Sequence, residues 1–148
     1  MELPITSELV PRVRTVRPRR EGLTEARKRN AIALAEALWS RDGTSGPPGE
    51  RLRVFAEDLS DFVGHLNTRA RLLFVTCLAV ITWLSPLVIG RMPRLARLDV
   101  SDRVRAIQAL EQTPASLALL AAKAIVAIVW FEQPENAREI GWDQRCKR

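Results

Sequence analysis

The side chains that come nearest to a catalytic or metal-binding set lie between residues 57 and 65. Glu57, Asp58 and Asp61 are followed by His65, the one histidine of the chain. Carboxylates and imidazole bind divalent metals, and neighbouring carboxylates can serve in acid–base chemistry. The helical spacing of the surrounding apolar residues, however, puts these carboxylates on a solvated face, with no second histidine beside them. We therefore predict no metal site in this segment.

Lys123 is the second candidate, because it interrupts an otherwise apolar stretch. Residues 115–131 hold 15 apolar side chains in 17 positions. A buried lysine can act as a nucleophilic amine, but the sequence offers no neighbouring group that would support carbonyl chemistry. A lysine whose alkyl chain packs on the core while its ammonium group reaches water is the simpler interpretation.

The remaining reactive groups do not combine into a nucleophile–base pair. The loop 41–49 is rich in glycine and proline but lacks the Lys-Ser/Thr ending of a phosphate-binding loop. Cys77 and Cys146 fit no metal-ligand spacing, and their different surroundings do not favour a disulfide, which indicates a reducing compartment. We predict that the chain is not an enzyme acting alone.

Composition predicts an all-α fold. The 148 residues are 47% hydrophobic, contain no tyrosine, and are rich in the helix-favouring residues Ala, Leu, Arg and Glu. We expect one helical domain over residues 23–143, built as a bundle of about five main helices. An extended basic arm over residues 1–22 would precede it, and a charged tail over residues 144–148 would follow.

Apolar periodicity and capping residues place the five helices. Thr24 caps the first, and Asp99 caps the fourth, with Asp102 at the capping-box position. The Pro-rich and Gly-rich segments between them are predicted loops. The expected ranges are residues 24–40, 50–66, 72–85, 99–112 and 115–131.

Residues 72–90 allow two interpretations. Nineteen consecutive uncharged residues just meet the length needed to cross a bilayer. Pro86 would break the last turns, and three hydroxyl side chains dilute the hydrophobicity. We interpret the segment as a central core helix that ends near Ser85. The alternative is a membrane-associated helical hairpin formed with residues 115–131.

The net charge of +6 comes from the N-terminal two thirds, where Arg12, Arg14, Arg17, Arg19 and Arg20 fall in the first 20 residues. Clustered arginines bind phosphates, but no recognition motif or stacking aromatics accompany them, so nucleic-acid binding ranks below the other hypotheses. The pair Arg19-Arg20 is followed by charged residues where an export signal is apolar. We expect a cytoplasmic protein, with membrane association left open.

The region from Leu95 to Asp143 resembles the small helical subunit (the third subunit) of gluconate 2-dehydrogenase and related modules of glucose–methanol–choline-type flavin oxidoreductases. The residues that carry the resemblance are Leu95-Ala96-Arg97-Leu98-Asp99 with Arg103, then Trp130-Phe131-Glu132-Gln133-Pro134, and finally Ile140-Gly141-Trp142-Asp143. The chain departs from the family pattern where Leu95 replaces a Phe and where Trp or Phe replaces tyrosines.

The resemblance implies a non-catalytic accessory subunit that binds and stabilises a flavoprotein. No cofactor is then expected in this chain, and FAD would lie in the partner. The aromatic ending offers large rigid surfaces of the kind that anchor interfaces. The candidate partner-binding residues are Trp130, Phe131, Pro134, Ile140 and Trp142. The alternative for the two tryptophans is that Trp130 and Trp142 pack on each other, with Pro134 ending the long helix and Gly141 closing a tight turn.

Overall fold

A computed structural model describes residues 21–92 and 94–142, which form a bundle of α-helices around one core. Within these ranges there are six α-helices, one short 3₁₀ turn and no β-strand, so the predicted all-α fold is confirmed. The helices are α1 Glu25–Leu38, α2 Gly49–His65, α3 Thr68–Val88, α4 Val100–Glu111, α5 Ser116–Glu132 and α6 Pro134–Glu139, with the 3₁₀ turn Leu95–Arg97 before α4.

The predicted arm and tail fall mostly outside the described residues, since only Glu21 and Gly22 of the arm are included. The domain already begins at these positions. The amide of Leu23 donates to Ser60 Oγ at 2.8 Å, and Arg71 donates to the carbonyl of Gly22 at 3.3 Å. Gly22 and Leu23 are thereby bonded to α3 and α2.

Local sequence explains where most helices begin. Thr24 Oγ1 accepts from the amide of Arg27, as predicted, and Asn67 Oδ1 accepts from the amide of Ala70 to start α3. At α4 the predicted cap differs in detail. Asp99 occupies the N-cap position, but its carboxylate accepts from the Ser101 hydroxyl at 3.1 Å and makes no capping hydrogen bond.

The predicted end of α3 near Ser85 is wrong, because the helix runs through Pro86 to Val88. Pro86 lies in the last turn, so the missing donor removes only one late helical hydrogen bond. Gly90 then closes the helix with a φ of +71°. Its amide donates to Leu87 O at 3.0 Å, and the amide of Arg91 donates to Pro86 O at 2.9 Å, which is a Schellman motif.

The two most apolar helices, α3 and α5, pack against each other and each presents one side to the core. Buried residues of α3 include Phe74, Leu78 and Ile81, and those of α5 include Val126 and Val129. Their other sides are exposed. By length and composition α3 is the single helix among the described residues that could cross a membrane, with 39% of its most apolar window buried in the fold.

Candidate docking surface

The end of α5 and the start of α6 are joined by a sharp reversal at Gln133 and Pro134. Pro134 is the first residue of α6, where a missing N–H is harmless. Asn136 is 1% exposed and spans the reversal. Its Nδ2 donates to Trp130 O and to Gln133 Oε1, both at 2.9 Å. The Trp130 carbonyl, which accepts from the Gln133 amide at 3.4 Å, thus gains a second donor from a side chain of α6.

Arg51 of α2 fixes α6 in place. Its guanidinium donates to Glu139 at 2.5 Å and to Asn136 Oδ1 at 3.4 Å, and it lies 3.3 Å from Glu135. The hydrogen bond to Glu139 is the main cause that raises the pKa of Arg51. Because the carboxylates and the amide all come from α6, this one side chain ties α6 to α2.

Trp130, one of the predicted partner-binding residues, belongs to the core. It is 2% exposed and stacks on Trp39 of α1, with ring centroids 4.5 Å apart and planes 7° from parallel. Phe55 of α2 meets it edge-on at 5.6 Å, and Phe131 meets Trp39 edge-on at 6.0 Å. Trp130 thus joins α1, α2 and α5, and its stacking partner is Trp39.

Gly141 directs Trp142 to the surface. Gly141 has a φ of +79°, and its amide donates to Arg138 O at 2.9 Å while the amide of Trp142 donates to Ala137 O at 3.1 Å. This Schellman motif is the tight closing turn predicted from the sequence. The side chain of Trp142 is 56% exposed.

Trp142 borders an apolar groove of about 510 Å³ along the end of α5. The groove is lined by Ala127, Ile128, Phe131, Glu132 and Trp142. Of the five predicted partner-binding residues, Phe131 and Trp142 line this groove. Pro134 and Ile140 are exposed but border other pockets, and Trp130 is buried.

The groove continues into the outward side of α5. Leu117, Leu120 and Ile128 are 74%, 64% and 53% exposed, and their spacing of three and eight residues keeps them on one side of the helix. Together with Phe131 and Trp142 they form what we call the α5 face. The exposed carboxylate of Glu132 lies at its C-terminal end.

The residues that suggested chemistry in the sequence are engaged in ion pairs or hydrogen bonds, such as those of Glu57 with Lys28 and of Asp58 with Gln133. Lys123 pairs with Glu111 of α4, and its side chain is 29% exposed, as the interpretation of a lysine reaching water from the core predicts. His65 stays on its own helix, with Nδ1 2.8 Å from Asp61 O. Within residues 21–92 and 94–142, no three His, Cys, Asp or Glu side chains are grouped so that they could hold a metal ion.

Comparisons of the chain with protein-family models, with curated proteins and with solved structures found no match.

Three residues that organise this region were not singled out for that role. Trp39 is the last apolar residue of the predicted first helix and directly follows α1. Nothing in its spacing indicates that it stacks on a residue 91 positions away. Arg51 and Asn136 carry no sequence signal, because their function depends on the tertiary approach of α2 and α6.

Proposed function

We propose that this chain is a non-catalytic accessory subunit that binds a larger protein through the α5 face. The observation that carries the proposal is the exposure of Trp142 beside Ile128 and Phe131, at the end of a helix side that is apolar over four turns. Contiguous exposed apolar surface marks interaction sites, and tryptophan is among the residues that most often dominate binding energy.

The anchoring of this surface supports the same proposal. Arg51, Asn136 and the Gly141 turn hold α6 and Trp142 in one arrangement before any partner arrives. A rigid, preorganised anchor loses little conformational entropy on binding. The groove beside Trp142 is open and apolar, so it suits an apolar side chain from a partner protein.

The resemblance of residues 95–143 supports a flavin-dependent oxidoreductase of the glucose–methanol–choline type as that partner. FAD and the redox chemistry would then reside in the partner, while this chain contributes folding and stability. The redox chemistry of such a complex would not require an acid, base or nucleophile from the α5 face, whose side chains are apolar except for Glu132.

Affinity purification of the tagged full-length chain from its native cells in mild detergent tests the proposal. The expected result is a stoichiometric larger protein whose absorption spectrum is that of a bound flavin. Ile128→Gln should reduce its recovery, whereas Leu73→Gln on α3, equally exposed and apolar, should not. A chain recovered alone, or with a partner devoid of flavin, would contradict the proposal.

A membrane-associated hairpin of α3 and α5 is the second candidate, favoured by the 21-residue length of α3 and by a mean hydropathy of 1.9 over its most apolar 18 residues. Spanning would remove Phe74, Leu78 and Ile81 from the core they share with α1 and α4. Extraction of membranes with alkaline carbonate distinguishes the two, because a spanning protein stays in the pellet and a docked subunit is released.

A further inference from the structure

The outward side of α3 is a second apolar surface, on a different helix from the α5 face. Leu72, Leu73, Trp83 and Leu87 are 66%, 61%, 56% and 53% exposed. Thr76 and Ala79, which lie between them, are exposed as well. At 100° per residue these positions fall within one continuous stripe along the helix. We call this stripe the α3 face, and with a rise of about 1.5 Å per residue it is about 25 Å long.

Exposed arginines lie at both ends of the α3 face. The helix α3 itself contains no acidic residue. Arg69 is exposed and lies on the same side as Leu73 and Thr76, four and seven residues later. At the other end the guanidinium of Arg94 lies 4.3 Å from the ring centroid of Trp83. Arg91 is exposed there too, although it is 3.4 Å from Asp102.

We infer that the α3 face docks on an anionic membrane surface, with α3 lying in the plane of the interface. An apolar stripe with tryptophan and flanking arginines is the pattern of helices that bury one side at the level of the lipid headgroups. The opposite side of α3, with Phe74 and Ile81, stays in the protein core. Docking in the plane of the interface therefore leaves the fold intact. Spanning the bilayer would instead pull α3 out of the core.

Charge distinguishes this surface from the α5 face. The α5 face ends at the carboxylate of Glu132, and its neighbouring cation, Lys123, is already paired with Glu111. Anionic headgroups would be repelled by Glu132 but attracted by Arg69 and Arg94. The two faces thus fit different partners, and the membrane inference is independent of the proposed flavoprotein.

Flotation of the full-length chain with lipid vesicles tests the inference. At about 0.15 M salt, where long-range attraction is screened, the chain should float with phosphatidylcholine vesicles containing one quarter phosphatidylglycerol. Binding to vesicles of phosphatidylcholine alone should be at least ~10-fold weaker. Each arginine near an anionic lipid surface strengthens binding about fivefold, and arginines lie at both ends of the α3 face. Equal binding to both vesicle types, or to neither, would overturn the inference.

Single substitutions test whether the α3 face is the surface that contacts lipid. Leu73→Gln should lower the partition coefficient by ~10-fold or more, since it removes a large apolar group from the contact, and Arg69→Gln by about fivefold. The matched control is Leu120→Gln on α5, which is equally exposed and should leave vesicle binding unchanged. A loss that is as large for Leu120→Gln as for Leu73→Gln would contradict docking through α3.

The basic arm requires its own control, because five arginines precede residue 21 and can attract anionic vesicles by themselves. Quenching of tryptophan fluorescence by brominated lipid reports on Trp83 directly. In a Trp142→Phe background, Trp83 is the one strongly exposed tryptophan in the part of the chain that the structure describes. Lipid quenching that is lost in Trp83→Phe supports the inference, and quenching that persists there contradicts it.

Two other occupants of the α3 face would be recognised in the same preparations. A second copy would appear as a dimer in sedimentation equilibrium that Leu73→Gln dissociates. Coverage by the chain's own residues outside 21–142 would appear as shielding of Trp83 from iodide before any lipid is added. Either result would overturn the inference, whereas a monomer whose Trp83 is open to iodide supports it.

Discussion

The guanidinium of Arg103 on α4 and the carboxylate of Glu36 on α1 form an ion pair whose side chains are 13% and 24% exposed. Arg103 also donates from Nε to Leu95 O and from Nη2 to Ala96 O, both at 3.1 Å. One side chain therefore joins the 3₁₀ turn before α4 to α1. Leu95 itself is fully buried, so the segment that carries part of the family resemblance has a structural role here.

Arg103→Ala should lower the free energy of unfolding by about 3 kcal/mol, because it leaves two carbonyls and a partly buried carboxylate without their donor. The matched control is Arg105→Ala, whose side chain is 70% exposed and lies 3.4 Å from Asp102. That change should cost less than about 0.5 kcal/mol. Urea unfolding of both variants makes the comparison, and equal losses would show that Arg103 is an ordinary surface residue.

Trp130→Ala should destabilise the fold by about 3–5 kcal/mol, the usual range for removing a large aromatic side chain from a core. The stacked ring of Trp39 and the edge of Phe55 would lose their common partner. Trp142→Ala should cost less than about 1 kcal/mol, since its ring is 56% exposed. If chemical denaturation showed a larger loss of unfolding free energy for Trp142→Ala than for Trp130→Ala, the assignment of Trp130 to the core and of Trp142 to the surface would be wrong.

Gly141→Ala should destabilise the C-terminal turn by about 1–2 kcal/mol, because a β-carbon is strained at a φ of +79°. Gly49→Ala is the control, since Gly49 begins α2 and a β-carbon there meets no atom within 4 Å. It should be neutral or slightly stabilising. Thermal unfolding followed by circular dichroism compares them. A Gly141→Ala variant as stable as the parent would argue against the Schellman turn.

The pH dependence of stability should show one acidic and one basic limb. The hydrogen bond from Arg53 lowers the pKa of Glu50 below 4.5, so its contribution is complete above pH 4.5 and is lost as the pH falls further. Hydrogen bonds to Glu57 and Glu25 raise the pKa of Lys28 above 10.5. That contribution is complete below pH 10.5 and disappears as the pH rises through the folded-state pKa.

Urea midpoints measured across the pH range check both limbs. Glu50→Gln should reduce the acidic limb without removing it, because the hydrogen bond from Ser101 also lowers the pKa of Asp99. Lys28→Gln should reduce the basic limb and leave the acidic limb unchanged. If either substitution left both limbs unchanged, the contribution assigned to that residue would be contradicted.

Five of the six helices in the described residues could be predicted from the sequence, whereas α6 was not predicted and α3 begins four residues earlier than expected, at Thr68. The Thr24 cap and the apolar spacing of α2 are signals that span only a few residues. The predicted start of α1 and the predicted range of α2 both match the structure. The end of α3 was missed because a proline in the last turn costs little when Gly90 closes the helix behind it. Asp99 is the N-cap residue of α4, as predicted, but its carboxylate makes no capping hydrogen bond, because the nearby Ser101 hydroxyl donates to it instead.

The candidate surface could be predicted only in part. Exposed and buried tryptophans look alike in sequence, so Trp130 and Trp142 were grouped together although one stacks in the core. Likewise, apolar residues all round α3 and α5 predicted burial, whereas each helix is covered on one side only. Which side remains open depends on the angles at which α1, α2 and α4 pack, and these are not encoded locally.

The most direct test is the recovery of a flavin-containing partner with Trp142→Ala compared with the unaltered chain. If the proposal is right, the unaltered chain brings down a larger protein with an oxidised-flavin spectrum. Trp142→Ala should lose most of that flavin while its circular dichroism and urea midpoint stay close to those of the parent. A variant that retains the flavin in full, or an unaltered chain that never brings any down, would contradict the proposed role of a flavoprotein subunit docked through the α5 face.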